Sequence, residues 1–393
     1  MTTPQQKHIL LGITGGIAAY KSAYLVRLLQ ERSYLVQVMM SEAATHFITP
    51  VTFQALTGQV VLTDIWDPRI PNRMAHIEAT RKAEAMLIAP ATANVLAKLA
   101  SGVADDLLTT TAMARNCPLL VAPAMNREMW AQPSTQRNIE QLKQDGVLIV
   151  GPASGNQACG EVGEGRMEEP ETIMLMIERA LTHKTWAGKR VLVTAGPTME
   201  SIDPVRAITN HSSGKMGYAI VEALLARGAE VTLISGPVAL TPPLGAQLIS
   251  VVSAEQMFNA VTEHIEDQEV FFSVAAVADY TPQQSAMQKI KKSAGSFTLE
   301  LAPTVDILAS VAQRSAPPFC VGFAAETNHI DEYASQKRLA KNIPVIVANN
   351  AHHALGHDDN EVVIIDQHGQ HPLARANKKC IAEGIVEHVF TLL

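Results

Sequence analysis

Residues 190–235 read RVLVTAGPTMESIDPVRAITNHSSGKMGYAIVEALLARGAEVTLIS. An apolar run, Val191–Thr194, is followed by a long polar loop. An amphipathic stretch then runs from about Ser213 to Arg227, and a second apolar run covers Val231–Ser235. Strand, helix and strand in that order make a βαβ opening, which starts a doubly wound parallel sheet. This one starts near the middle of the chain. Residues 8–41, HILLGITGGIAAYKSAYLVRLLQERSYLVQVMMS, have the same layout. The chain therefore begins twice. The expected fold class is α/β, as two tandem doubly wound domains, Rossmann-like or flavodoxin-like, with mainly parallel sheets.

Both openings place glycines and hydroxyls just after the first strand, where the free N–H groups of a helix start attract anions. Neither is a dinucleotide fingerprint. Such a loop needs an Asp or Glu at the end of the second strand for the ribose diol. Here those strands end in Ser41 and Ser235, which argues against NAD in either half.

The 393 residues suit two cores rather than one. The 47% apolar and 18% charged content is that of a globular protein. There is no run of 18 apolar residues, and MTTPQQKH lacks the pattern of a signal peptide, so a soluble, cytoplasmic protein is expected. The four cysteines, Cys117, Cys159, Cys320 and Cys380, form no Cys-x-x-Cys pair. That argues against a zinc site or a disulfide framework and leaves room for one reactive thiol. A net charge of −7 gives no general reason to bind nucleic acid or a membrane.

In the first half, a helix is expected around Pro50–Leu56. Two strands have matching ends: Met86–Ala89 runs into APATAN and Leu119–Ala122 into APAMN. Both offer an Asn at the carboxyl end of a parallel strand, where ligands lie. Residues 153–169, ASGNQACGEVGEGRMEE, are too glycine-rich for a helix or a central strand and read as a flap carrying Cys159.

Taken together, GITGGIAAYKS, SEAATHFI, the His of HIE, APATAN, PAMNREMW and ACGEVGEGRM resemble the flavin-dependent cysteine decarboxylases, in the same order, over nearly all of residues 7–180. The resemblance implies bound flavin mononucleotide (FMN), decarboxylation of 4′-phosphopantothenoylcysteine, and trimers. It puts Gly15, Gly16, Ser41 and Thr45 near the flavin phosphate and ribityl chain, with Thr92 and Asn94 approaching from APATAN. It makes Asn126 the grip on the substrate carboxylate, His76 a helper at the reacting centre and Cys159 the proton donor. PATANV where the family often has PASANT, and Ala79 where it often has Leu, are mild departures.

HKTWAGK, residues 183–189, is the expected connector, which gives domains 1–188 and 189–393. In the second, the loop after Thr194 is long enough to be functional, and Ser212, Ser213, Gly214 and Lys215 at a helix start suit phosphate. An apolar strand Val270–Val277 puts Asp279 at a carboxyl end. QKIKKSAGSFTLEL, 288–301, reads as a hairpin about Ser293–Ser296, with Lys289 and Lys291 on one face and Ile290 and Lys292 on the other. Lys337 and Lys341 fall four apart on one helix face. In an acidic chain these groups favour a polyanion such as a nucleoside triphosphate.

AGPTMESIDPVR, ITNHSSGKMG, AAVADY, KIKK and GFAAET together resemble the bacterial, CTP-dependent phosphopantothenate–cysteine ligases over residues 189–393. Behind a decarboxylase, this makes the whole chain similar to the bifunctional coenzyme A biosynthesis family. The resemblance implies CTP contacts at Ser273, Val274, Ala275, Asp279, Lys289, Phe323, Lys337 and Lys341, and along Val305, Asp306, Ile307 and Leu308. Val305 stands where the family often has Pro. It also implies Asn210 at the acyl-transfer centre, Mg²⁺ on the phosphates with Asp279 as a ligand, and 4′-phosphopantothenate and L-cysteine as the other substrates. Decarboxylase trimers and ligase dimers could assemble into a dodecamer. CTP rather than ATP follows from the resemblance alone. Two other readings stay open here: a decarboxylase of peptides ending in cysteine, and a non-catalytic regulatory flavin-binding protein. The second domain argues against the former, and the intact His76, Asn126 and Cys159 against the latter.

Overall fold

The computed structural model describes residues 6–66, 74–292, 296–326, 330–350 and 358–393. The chain divides into two compact units, Met1–Thr182 and His183–Leu393.

The first unit is built on five parallel strands in the spatial order Leu35–Met40, His8–Ile13, Ala85–Ala91, Leu119–Pro123, Leu148–Ile149. In chain order that is 2-1-3-4-5, the flavodoxin-like winding. The strands are apolar throughout because both faces are covered. Alternation along each strand sorts the side chains. Ile9, Leu11, Ile13, Leu87 and Leu120 face Leu25, Leu29, Ile173 and Ile177 of the helices Ala19–Glu31 and Pro170–Leu181. Leu10, Met86, Ile88 and Val121 face Leu96, Leu108, Ile139 and Leu142 on the other side. Each fully buried Leu contributes about 1.5–3 kcal/mol. The glycine-rich flap is a separate two-stranded antiparallel hairpin, Ala153–Asn156 with Val162–Arg166, as its lack of a core face requires.

The second unit carries an eight-stranded sheet. Six strands are parallel: Gln247–Ser250, Glu230–Ser235, Arg190–Ala195, Val270–Ser273, Phe319–Glu326 and Val345–Asn350. Counted from Arg190, their chain order is 3-2-1-4-5-6, the Rossmann winding. Two antiparallel strands, Asp359–Ile365 and Gln370–Asn377, extend the edge. One face packs Val191, Val193, Leu233 and Phe272 against Ile220, Leu224, Ile381 and Ile385. The other packs Leu192, Phe271 and Ile346 against Met257, Val261 and Leu308. The helix Lys215–Ala226 starts at Gly214, whose φ of 76° is left-handed. A Cβ there would also stand 2.7 Å from Val238, so glycine is needed on both counts.

Four expectations change. The expected connector belongs to the second unit: Trp186 is fully buried in its core, beside Phe272 and Phe390 at ring distances of 6.4 and 5.9 Å. Its indole removes enough apolar surface from water to outweigh the polar residues around it. The strand expected to reach Val277 ends at Ser273, leaving Val274–Asp279 as loop. The lysine-rich hairpin is not seen: its turn, 293–295, lies outside the described residues, and 288–292 and 296–300 form no strand. Leu301–Pro303 pairs instead with Tyr280–Pro282. A stretch with one half-buried Ile among exposed lysines offers a sheet nothing to bury. Finally, Lys341 lies just past the helix Ile330–Ala340 that carries Lys337, although its N–H still donates to the Lys337 carbonyl at 3.0 Å.

Candidate active sites

In the first unit the winding reverses between the strands His8–Ile13 and Ala85–Ala91, and ligands of open α/β sheets bind at that switch point. A cleft of about 620 Å³ opens there, lined by Gly15, Gly16, Thr92, Asn126 and Cys159 with Ile17, Met125 and Met129. Gly15 is required by packing: a Cβ would lie 2.5 Å from that of Ala43. At Gly16 a Cβ would meet only Thr92, at 3.9 Å, and so would stand in the open cleft. Thr92 caps the helix Ala93–Ala100 by accepting from the Val95 N–H.

Ser41, Thr45, Asn94 and His76 are not among the residues lining this cleft. Ser41 caps Glu42–Thr45 by accepting from the Ala44 N–H, and the Thr45 hydroxyl donates to the Glu42 carbonyl at 2.7 Å. Asn94 is exposed in the first turn of its helix. His76 begins the helix Ala75–Lys82, and its Nδ1 is buried with no hydrogen-bond partner among the described residues. Such an orphan costs free energy unless something supplies a partner. A separate hollow of about 240 Å³, lined by His8–Leu10 and Leu35–Gln37, holds none of the expected site residues.

Asn126 has two jobs. Its Oδ1 accepts from the Glu128 N–H at 2.8 Å and caps the helix Arg127–Ala131. Its Nδ2 donates to the Glu161 carboxylate and lies 3.6 Å from the Cys159 sulfur. The Cys159 thiol donates to the same Glu161 oxygen at 3.6 Å. The flap is drawn over Asn126 by backbone and side-chain bonds. The Met125 N–H donates to the Gly165 carbonyl at 2.9 Å, the Arg127 N–H to Gln157 at 3.1 Å, and the Trp130 indole to Glu164 at 3.0 Å. Lys21 holds the flap's exit, donating to the Met167 carbonyl at 3.0 Å and Glu169 at 2.8 Å. Glu161 and Lys21 lie within the motifs ACGEVGEGRM and GITGGIAAYKS, but neither was singled out from the sequence.

In the second unit the switch point lies between Arg190–Ala195 and Val270–Ser273. A cleft of about 190 Å³ is lined there by Ser212, Ser213, Gly214, Lys215, Val274, Ala275, Phe323, Asn349, Asn360 and Lys378. This is below the usual size of a whole-ligand pocket and suits one polar end of a ligand. Lys378 is buried, and burial followed by the charge of Lys215 pulls its ammonium below the usual lysine range. Asn349 donates to Asn360 at 3.4 Å. Sequence reasoning missed Asn349, Asn360 and Lys378.

Asn210 is brought to the same loop as Val274 and Ala275: its Nδ2 donates to the Ala276 carbonyl at 2.8 Å. Ser273 ends its strand, and Asp279 is exposed six residues on. Lys341 pairs with Asp306 at 2.7 Å, which joins it to the Val305–Leu308 stretch. Burial opposes the charge on Asp306, but the Lys341 bond, the Ala309 N–H and the charge of Lys337 prevail and hold its carboxyl below the usual range. Exposed Lys289 sits in a segment fixed by a buried carboxylate. Asp203 accepts from the Ile290 N–H at 3.1 Å and from Arg206 Nε at 2.9 Å, and Arg206 donates to the Ile290 carbonyl at 2.9 Å. The Arg206 guanidinium, helped by backbone N–H groups, holds the Asp203 carboxyl far below the usual carboxylate range. Lys289, Lys337, Lys341 and Asp306 do not line the cleft.

The two folds are tandem doubly wound α/β units of the kind that nucleotide-binding enzymes use, each with a cleft at its switch point. A family model described as Flavoprotein matches residues 2–182, and one described as DNA/pantothenate metabolism flavoprotein C-terminal domain matches residues 186–393. The chain is 47% identical over 386 residues to the Coenzyme A biosynthesis bifunctional protein CoaBC of Vibrio cholerae, covering 97% of each. It is 42% identical over 396 residues to the protein of that name from Escherichia coli, covering 98% of this chain and 97% of that one. A solved C-terminal domain of CoaBC matches 53% of this chain and 97% of its own at 41% identity, with a TM-score of 0.47. The chain belongs to the family of bifunctional coenzyme A biosynthesis proteins, with a flavoprotein decarboxylase unit followed by a ligase unit.

Proposed function

We propose that the first unit binds FMN and converts 4′-phosphopantothenoylcysteine to 4′-phosphopantetheine, and that the second unit makes that substrate from 4′-phosphopantothenate, L-cysteine and CTP. The observation that carries the first half is the convergence of Asn126 Nδ2 and the Cys159 sulfur, 3.6 Å apart, on a cleft at the switch point.

The cleft fits a flavin mononucleotide. It has the volume, an apolar wall of Ile17, Met125 and Met129, open space at Gly16, and a helix start for one phosphate. Gly15, Gly16 and Thr92 would hold it; Ser41, Thr45 and Asn94, which the resemblance adds, do not line the cleft. When bound, the flavin supplies the oxidation of the thiol end that lets the substrate shed CO₂, and later returns the electrons. The protein does the rest. Asn126 donates to the substrate carboxylate, a place that the Glu161 carboxylate now takes. By the family resemblance His76, which does not line the cleft and whose Nδ1 has no partner among the described residues, would assist at the reacting centre. Cys159 gives its proton to carbon in the reductive half, while the flap keeps water out.

In the ligase, the carboxylate of 4′-phosphopantothenate attacks the α-phosphorus of CTP and expels pyrophosphate. The amine of cysteine then attacks the acyl carbon of the acyl-cytidylate and expels CMP. Asn210, tied to the Ala276 carbonyl in the loop that carries Val274 and Ala275, would orient the acyl group. Ser273 and Phe323 flank the nucleotide. Lys289, Lys337 and Lys341 offset the charge that grows on the phosphates. Mg²⁺ is usually held by one or two carboxylates plus phosphate oxygens, and exposed Asp279 would supply one.

No described helix is long and apolar enough to cross a membrane. Our reading is a cytoplasmic homo-oligomer, trimeric through the first unit and dimeric through the second. The test is the visible spectrum of the purified protein, followed by pyrophosphate release with CTP, Mg²⁺ and 4′-phosphopantothenate. A yellow protein that releases pyrophosphate with CTP supports the reading. A colourless folded protein that cannot be reconstituted with FMN removes its first half. No release with CTP, but release with ATP, removes the nucleotide assignment.

A further inference from the structure

At the end of the second unit's sheet opposite the cleft, a buried carboxylate faces two imidazoles. Asp366 follows the strand Asp359–Ile365, His371 lies in the returning strand Gln370–Asn377, and His388 belongs to the terminal helix Lys378–Phe390. The side chain of Asp366 is 1% exposed, that of His388 19% and that of His371 39%. His388 Nε2 lies 2.8 Å and His371 Nε2 3.2 Å from the same oxygen, Oδ2. The other oxygen, Oδ1, accepts from the N–H groups of His368 at 2.6 Å and Gly369 at 3.1 Å, with His371 Nε2 at 3.3 Å. The two rings are tilted by 44° to one another, with centroids 4.4 Å apart.

We propose that Asp366, His371 and His388 form a binding site for one divalent transition-metal ion of the zinc or cobalt type. Zinc takes imidazole nitrogen and carboxylate oxygen at about 2.0–2.2 Å, which sets tetrahedral donors about 3.3 Å apart. The carboxylate–imidazole separations here, 2.8–3.3 Å, are already near that value, and one donor atom from each of the three residues lies within 4.8 Å of the others. The ligands come from three elements, so little rearrangement would seat the ion: it replaces the protons now shared between ring nitrogens and carboxylate. Oδ1 is anchored by two backbone N–H groups, the kind of second contact that aims a ligating carboxylate. The exposed side of His371 leaves a position for water. Two nitrogens and one oxygen select against Mg²⁺, which prefers oxygen alone. Such an ion therefore differs from the one the ligase uses.

The site also has a structural consequence. Asn360 and Lys378 line the cleft; Asn360 belongs to the strand that leads into Asp366, and Lys378 to the helix that carries His388. From Asn360 to Asp366 is about 20 Å along the strand. An ion at the far end would clamp the antiparallel edge and terminal helix that supply both residues. Cysteine spacing could not have revealed it; the signal is the pattern DQHGQH at 366–371 with a later His388.

The experiment uses the full-length protein, stripped with a chelator that is then removed, and titrated with Zn²⁺ by calorimetry and with Co²⁺ by visible absorption. One equivalent of Zn²⁺ per chain should bind at micromolar concentration or below. Co²⁺ should give the intense bands of a four-coordinate ion. His371→Gln, at the most exposed of the three positions, should weaken binding at least tenfold while melting like the metal-free parent. His388→Gln should do the same. Zn²⁺ should raise the melting temperature of the parent and of neither variant. Equal binding by the parent and both variants places the ion elsewhere and overturns the proposal. So does a parent that takes up no ion at 100-fold excess, which leaves an ordinary hydrogen-bonded cluster.

Discussion

Replacing Asn126 by Asp separates its two jobs. The Oδ1 cap survives, because Asn and Asp cap helices about equally well, whereas Ala loses about 1 kcal/mol. The Nδ2 donor does not survive. A carboxylate now faces Glu161 in the resting protein and the substrate carboxylate in the working one. A hydrogen bond to a charged group contributes about 1.5–3 kcal/mol, or tenfold to a hundredfold in rate. Two like charges about 4 Å apart near a protein surface add roughly another 4 kcal/mol of repulsion at most, lessened by any relaxation of the flap. Asn126→Asp should therefore cut CO₂ release from 4′-phosphopantothenoylcysteine by more than about a hundredfold. Its cap is intact, so its melting temperature should stay near that of the parent once the exposed flap carries Glu161 away from the new carboxylate. Asn126→Ala should lose activity less steeply and melt about 2–4 °C lower. The assay is labelled CO₂ release beside a thermal melt. An Asp variant working at a third of the parent rate or better would refute the donor role. Equal losses of activity and stability in both variants would make Asn126 a cap and nothing more.

Three further outcomes follow from the same geometry. Cys159→Ser should still release CO₂ but accumulate an enethiol, because an alcohol is a far weaker acid than a thiol; 4′-phosphopantetheine formed at the parent rate, read by mass spectrometry, would move the proton donor elsewhere. Burial pushes the Cys320 thiol up to about 12, while an unfolded chain ionises it from about pH 8.5. The unfolded state then binds fewer protons, so stability should fall as pH rises through that window, and Cys320→Ala should show a shallower fall than the parent in melts between pH 7 and 10. Asp203→Ala should release the 288–292 segment and lower ligase turnover at least tenfold with decarboxylation intact; unchanged pyrophosphate release would mean that Lys289 needs no fixed backbone.

Much of this was legible in the sequence, and the reason is burial. Strands such as Val191–Thr194 and Met86–Ala89 are covered on both faces, so they read as unbroken apolar runs between glycines and prolines. Gly15, Gly16, Thr92 and Asn126 could be placed at the cleft because a parallel sheet sends its ligand to strand carboxyl ends, and Cys159 because its glycine-rich stretch reads as a flap. Glu161 was not legible, since one acid among several in a polar flap has no period. Asn360 and Lys378 were not, because an antiparallel edge returns them to a helix start far back in the chain; Asn360 touches Met216 across 144 residues. The lysine-rich stretch at 288–292 misled for a physical reason. Alternation signals a strand only when one face has something to bury, and there Asp203 and Arg206 fix the backbone instead.

The central claim is that one chain carries two separable chemistries in series. Asn210→Ala and Asn126→Asp should each be given 4′-phosphopantothenate, L-cysteine, CTP and Mg²⁺, with products followed by mass spectrometry. The account predicts that Asn126→Asp stops at 4′-phosphopantothenoylcysteine. Asn210→Ala should make almost nothing until that intermediate is supplied, and should then convert it to 4′-phosphopantetheine at the parent rate. If Asn210→Ala cannot use the supplied intermediate, or Asn126→Asp makes none, the two activities share a site and the account is contradicted.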